Sequence, residues 1–176
     1  MSRHTTRCGQ VVKINKHHLR AHPDVLPFLN EALDKFDYSQ LKEGEVFRQE
    51  VEMGRIIGLT GCVRTVDGDQ ICHAIRKGRE WPSRFVMNLI GEQCKTVTVV
   101  MKAGRPGMFD RPHCLLTAYI GYIAMREPGD PSIETEEEFA ASMKFWSTHA
   151  LVWTGGQNVT QVINHEVQPP LRHKDK

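Results

Sequence analysis

After Glu43-Gly44 the hydrophobic pattern of this chain changes from a helical repeat to a period of two, and that switch limits the fold more than any other feature. Ahead of it, Val25, Phe28, Leu29, Ala32, Leu33 and Phe36 mark one face of an amphipathic helix over Asp24–Phe36, with Asp24 as N-cap and Pro27 in the first turn. Beyond it, Arg55–Val66 (RIIGLTGCVRTV) reads as a strand whose Gly58 and Gly61 mark a bulge, a bend or close approach by another backbone. The Asp67-Gly68 turn then predicts an antiparallel return into Gln70–Lys77. Thr96–Lys102 (TVTVVMK) alternates as a strand with one apolar and one mixed face. In His113–Gly121 alternation puts Cys114, Leu116, Ala118 and Ile120 on one face, and His113, Leu115, Thr117 and Tyr119 on the other. A second helix is expected over Ser132–Val152, with Thr135 and Glu138 at capping-box spacing and an apolar stripe of Phe139, Met143, Trp146 and Ala150. Trp146 and Trp153 read as packing residues. The fold class is α+β: a bent, mostly antiparallel four- or five-stranded sheet with helices packed on one face.

With 176 residues, 40% of them hydrophobic, the chain is expected to form a single α+β domain over residues 23–165. A basic N-terminal arm (1–22) and a loose C-terminal tail (166–176) would flank it. A net charge of +2 does not by itself announce a nucleic-acid binder. The charge is uneven, however: Arg3, Arg7, Lys13, Lys16 and Arg20 precede any acid, and Glu127–Glu138 is acidic without a base. Five cysteines with no C-x-x-C pair argue against a disulfide framework or zinc ribbon. No window reaches the length of a membrane span, so a cytoplasmic protein without membrane contact is expected. His17, His18 and His22 lie close together, but no carboxylate or cysteine completes a ligand set; neither metal nor cofactor is expected.

The chemistry concentrates in an expected cationic hairpin, Ile71–Val86, ICHAIRKGREWPSRFV, where Arg76, Lys77, Arg79 and Arg84 face a single acid, Glu80. Arginine forks match two phosphate oxygens, and Ser83 adds a hydroxyl directly after the stiff Trp81-Pro82 step. If the strands pair in register, the free sheet face displays Arg76, Arg79, Ser83, Thr117 and Tyr119, with Arg84 and Lys102 as further substrate contacts. His73, between Ile71 and Ile75, is the possible base, although strand alternation turns it towards the core, away from Arg76. His113 would lie two side-chain steps from Thr117, roughly 13 Å along the strand, too far to share one phosphate.

These stretches, with TVTVVMK, LLTAYIG, REPGDP and FWSTHALVW, resemble a set of small uncharacterised bacterial proteins. Their sheet core is similar to the metal-independent ribonuclease superfamily that spans barnase, EndoU, colicin and RelE toxins. The resemblance covers roughly Arg55–Trp153. It implies that Arg76 and Arg79 hold phosphate, Ser83 and Thr117 hydrogen-bond it, and Tyr119 orients or donates. The implied activity is a toxin-like, metal-independent RNA endonuclease that cleaves by 2′-hydroxyl attack to a 2′,3′-cyclic phosphate. The alternative is a non-catalytic RNA-binding or toxin-partner module of the same fold, with RNA and a cognate inhibitor or partner protein as partners. A third reading makes the acidic Glu127–Glu138 segment the working surface, masking the basic face of a partner or of the chain's own N-terminal arm.

Overall fold

In a computed structural model of the chain, the structure describes residues 2–15, 19, 22–105, 108, 110–155 and 159–163. The strands are β1 (Ser2–Thr5), β2 (Val11–Ile14), β3 (Val46–Glu52), β4 (Gly58–Leu59), β5 (Cys62–Arg64), β6 (Ile71–Arg76), β7 (Ser83–Val86), β8 (Gln93–Cys94), β9 (Thr96–Lys102), β10 (His113–Ile120), β11 (His149–Val152) and β12 (Val159–Ile163). The helices are α1 (Leu29–Lys35) and α2 (Glu136–Thr148). The expected α+β class holds, but the single sheet does not: the described residues form two five-stranded sheets and a two-stranded ribbon, β4 with β8. The chain forms two compact units, Met1–Thr60 with Gln93–Ile123, and Gly61–Glu92 with Ala124–Lys176.

The first unit holds the sheet β1-β2-β10-β9-β3. Residues of the expected N-terminal arm belong to this sheet instead. The described residues of that stretch include an antiparallel β1–β2 hairpin, and β2 runs parallel to β10, with Val12 opposite His113. The reason is the short run Val11-Val12-Lys13-Ile14, whose three apolar side chains are buried despite the basic residues around them. Strand β9 is buried on both faces between β3 and β10, so Thr96 and Thr98 are interior too, and the Thr98 hydroxyl donates to the Gly121 carbonyl at 2.8 Å. The first helix is shorter than expected. Pro23–Phe28 form a 3-10 turn and only Leu29–Lys35 are α-helical, since Pro27 biases the preceding Leu26 away from α geometry. The cap position falls at His22, so Asp24 caps nothing. Val25, Leu29, Ala32, Leu33 and Phe36 still bury the predicted face, against Val97, Val99 and Met101.

The second unit holds the sheet β12-β6-β7-β11-β5. The cationic stretch is an antiparallel hairpin, with His73 opposite Arg84 and Ala74 opposite Ser83. Gly78, at φ +79°, takes the left-handed position in its turn. The Asp67-Gly68 turn forms, but it joins no hairpin. It closes on itself through Asp69 N–H to the Val66 carbonyl and Val66 N–H to Asp69 Oδ2, while β5 pairs with β11. The capping box of α2 is present as expected, Thr135 Oγ1 accepting from the Glu138 N–H at 3.1 Å. The helix ends at Thr148. His149–Val152, expected to be helical, is instead strand β11, parallel to β7, and it buries Ala150 and Val152 with Val63 and Val86. Among the described residues no helix is long and apolar enough to cross a membrane. His17, His18 and the expected tail lie outside the described residues.

Candidate functional site

The second unit contains a cleft of about 220 Å³ whose lining includes His73, Trp81, Arg84, Glu127, Met143 and Trp146. The β6–β7 hairpin supplies one wall. Because His73 and Arg84 are cross-strand partners, their side chains leave the same face of the pair. Helix α2 supplies Met143 and Trp146, and the buried Trp146 indole N–H is held by the carbonyls of Met125 and Arg126 at 3.2 and 3.1 Å. The segment Glu127–Pro128 closes the third side.

His73 is therefore not the core residue that alternation between isoleucines implied. It is half-buried and lines the cleft, because Ile71 and Ile75 are themselves only half-buried and this face of the hairpin is incompletely covered. Burial, and then the neighbouring Arg84 charge, push its pKa below the ordinary imidazole value, so the ring is neutral near pH 7. Arg84 is fixed by two bonds from Nη1, to Thr65 Oγ1 and to the His149 carbonyl, each 2.9 Å.

The opposite face of the hairpin carries Arg76 and Ser83. Arg76 Nε donates to the buried Ser83 hydroxyl at 2.9 Å, and its Nη2 pairs with Glu127 Oε2. Ser83 thus orients Arg76 and is too buried to meet a ligand phosphate directly. Three residues on in both segments, Arg79 Nη1 pairs with Asp130 Oδ2. Two acids of the acidic stretch, Glu127 and Asp130, thus pair with two arginines of this hairpin. Glu127 Oε1 is the exception: it is buried and takes no hydrogen bond among the described residues. A buried acceptor without a donor costs on the order of 1–3 kcal/mol, and a catalytic role is one account of such a position.

The expected constellation does not assemble as one sheet face. Thr117 and Tyr119 lie on β10, and Lys102 ends β9, all in the first unit and in a different sheet from Arg76, Arg79, Ser83 and Arg84. A β-bulge at Leu116 changes the alternation of β10, so His113 and Leu115 share the buried face with Ala118 and Ile120 rather than a face with Thr117 and Tyr119. His113 is a core residue. Its Nδ1 accepts from the Gly104 N–H at 3.1 Å, which leaves the proton on Nε2 to donate to Gln10 Oε1 at 3.2 Å. Arg105 and Arg111, in the basic turn before β10, both pair with Glu43. Glu127 is the residue that sequence reasoning missed. It stood in REPGDP, which reads as turn chemistry, and only its offset of three from Asp130, matching Arg76 and Arg79, hinted at a double pairing. Among the described residues no three His, Cys, Asp or Glu side chains gather as a ligand set.

No family model matches the chain, and no curated protein matches it. Among solved structures, a conserved hypothetical protein from Toxoplasma gondii ME49 is similar at 13% identity and a TM-score of 0.51, over 81% of this chain and 93% of that one. That likeness is one of fold.

Proposed function

We propose that the cleft of the second unit is the site of a metal-independent ribonuclease that cleaves RNA by attack of a 2′-hydroxyl on the adjacent phosphorus. The observation that carries this reading is the state of Glu127. One carboxylate oxygen is held by Arg76, the other is buried without a partner, and the side chain lines the same cleft as His73. Cleavage needs a proton acceptor, a proton donor and fixed positive charge at the phosphoryl oxygens. In this reading Glu127 takes the 2′-hydroxyl proton as the 2′-oxygen–phosphorus bond forms. The His73 imidazolium gives its proton to the 5′-oxygen as the phosphorus–5′-oxygen bond breaks. Arg84 meets the phosphoryl charge, and Arg76 and Ser83 position Glu127. His73 is neutral in the free cleft partly because of Arg84; a phosphate beside Arg84 offsets that charge and favours the protonated ring when substrate is bound. The test is incubation of the purified chain with mixed RNA in excess chelator. Products ending in 2′,3′-cyclic phosphate are expected, and intact RNA across the pH range would sink the reading.

A second reading, an RNA-binding or toxin-partner module without turnover, is favoured by one observation: Arg76 and Arg79 are each already paired with a carboxylate. Its signature is RNA binding that weakens steeply with salt and yields no product.

A further inference from the structure

Two tryptophans line the cleft, and they are built differently. Trp146 is buried with its N–H satisfied, and is part of the frame. Trp81 is only half-buried, yet it is held on several sides. It precedes Pro82, which restricts its backbone to extended conformations. The turn after Glu127 packs against the base of its side chain, where a Cβ at Gly129 would collide with the Cβ and Cγ of Trp81. The Arg76–Glu127 and Arg79–Asp130 pairs, one on each side, hold that turn against the hairpin. An aromatic side chain held at its base and lining a cleft has lost part of its conformational freedom before any ligand arrives, so a planar partner gains more from contact. Pro82, Pro128 and Met143 continue the apolar wall, and Arg84 supplies a cation in the same cleft.

We propose that this wall is a subsite for one unpaired nucleobase, stacked on Trp81, with the nucleotide's phosphate directed to Arg84. The combination selects the occupant: a flat apolar surface alone would suit many ligands, whereas a flat surface beside a fixed guanidinium suits a base that carries its own phosphate. The inference rests on the RNA-handling reading of the cleft, but it does not need Glu127 or His73 to perform chemistry. The substrate class is single-stranded RNA with a base free to leave its stack. A duplex, whose bases are already paired and stacked, is a poor ligand.

The experiment titrates the full chain with the four nucleoside 5′-monophosphates and, separately, with ribose 5-phosphate, following the Trp81 indole N–H resonance by NMR, assigned by its absence in Trp81→Phe. The nucleotides should shift the resonance and ribose 5-phosphate should not. Trp81→Ala should weaken nucleotide binding about tenfold, while Trp81→Phe, which keeps a ring, loses much less; thermal melts establish that both variants are folded. Equal shifts with ribose 5-phosphate would overturn base stacking. An unmoved Trp81 signal in a chain that does cleave RNA removes the subsite and leaves the ribonuclease standing. A Trp81 shift in a chain that never cleaves RNA keeps the subsite and removes the ribonuclease. Neither nucleotide binding nor cleavage overturns both.

Discussion

Arg79 Nη1 stands 3.1 Å from Asp130 Oδ2, in a pair about one-third exposed on the arginine side and one-fifth on the aspartate side. It repeats, three residues on in each segment, the pairing of Arg76 with Glu127. Burial alone would raise the Asp130 carboxyl, but the Ser132 hydroxyl and N–H, and then Arg79, hold it below the usual value. A carboxyl depressed by folding contributes stability above its unfolded pKa of about 3.9, and that stability is lost as pH falls through the folded value. Asp130→Asn should therefore lower stability at neutral pH by about 1 kcal/mol and flatten the acid limb of the unfolding curve. Chemical denaturation at two pH values checks both, and an unchanged acid limb would show that Asp130 does not hold the turn.

Gly129 should tolerate no side chain. Its backbone is pressed on Trp81, so Gly129→Ala must move either the hairpin or the turn, at about 1–3 kcal/mol as for other overpacked sites. The shift should also alter Trp81 fluorescence. A variant with wild-type melting temperature and emission would mean that the turn and hairpin are not in tight contact.

For the proposed chemistry, Glu127→Gln and His73→Ala should each slow RNA cleavage by about 10²–10⁴-fold, the usual contribution of a positioned acid or base. Arg84→Ala should raise the barrier by roughly 2–4 kcal/mol, in line with the loss of a transition-state donor. In the pH–rate profile the basic limb belongs to His73 and should disappear in His73→Ala. Wild-type rates in Glu127→Gln would remove the carboxylate from the mechanism.

How far the sequence carried these conclusions can be seen at individual residues. The cationic hairpin, the buried face of α1 and the Thr135–Glu138 capping box were legible because each rests on contacts within a few positions along the chain. The sheet order was not. The Asp67-Gly68 turn is a true local signal, but local turn geometry cannot choose between pairing β5 with β6 and pairing it with β11, 85 residues away from Arg64 at His149. Leu116 shows the same limit on a smaller scale. One bulged residue inverts the alternation beyond it, which moved His113 from the expected open face to the core. Of the cleft, Arg84 was expected as a substrate contact and Trp81 only as the stiff step before Pro82, while Glu127 joins them through a contact spanning 51 positions to Arg76. His73 was misplaced for another reason, since flanking isoleucines identify a face without saying how completely that face is covered.

His113 sets a pH dependence separate from the cleft. The ring is 1% exposed, accepts from the Gly104 N–H at Nδ1 and donates from Nε2 to Gln10, an arrangement that needs the neutral tautomer. Burial accordingly pushes its pKa below the ordinary value. In the unfolded chain the same histidine binds its proton near pH 6.5, so below that value the unfolded state holds more protons than the native one, and stability must fall as pH falls. His73 adds to this with the same sign, because its pKa is lowered too. Thermal unfolding should show a lower melting temperature at about pH 5.5 than at about pH 7.5. His113→Gln removes one titrating group. It should be less stable than the wild type at the higher pH, because Gly104 and Gln10 lose their partner, yet it should lose less on acidification. If the wild type melts at the same temperature at both pH values, or if His113→Gln keeps the full pH slope, the buried neutral imidazole is not the source.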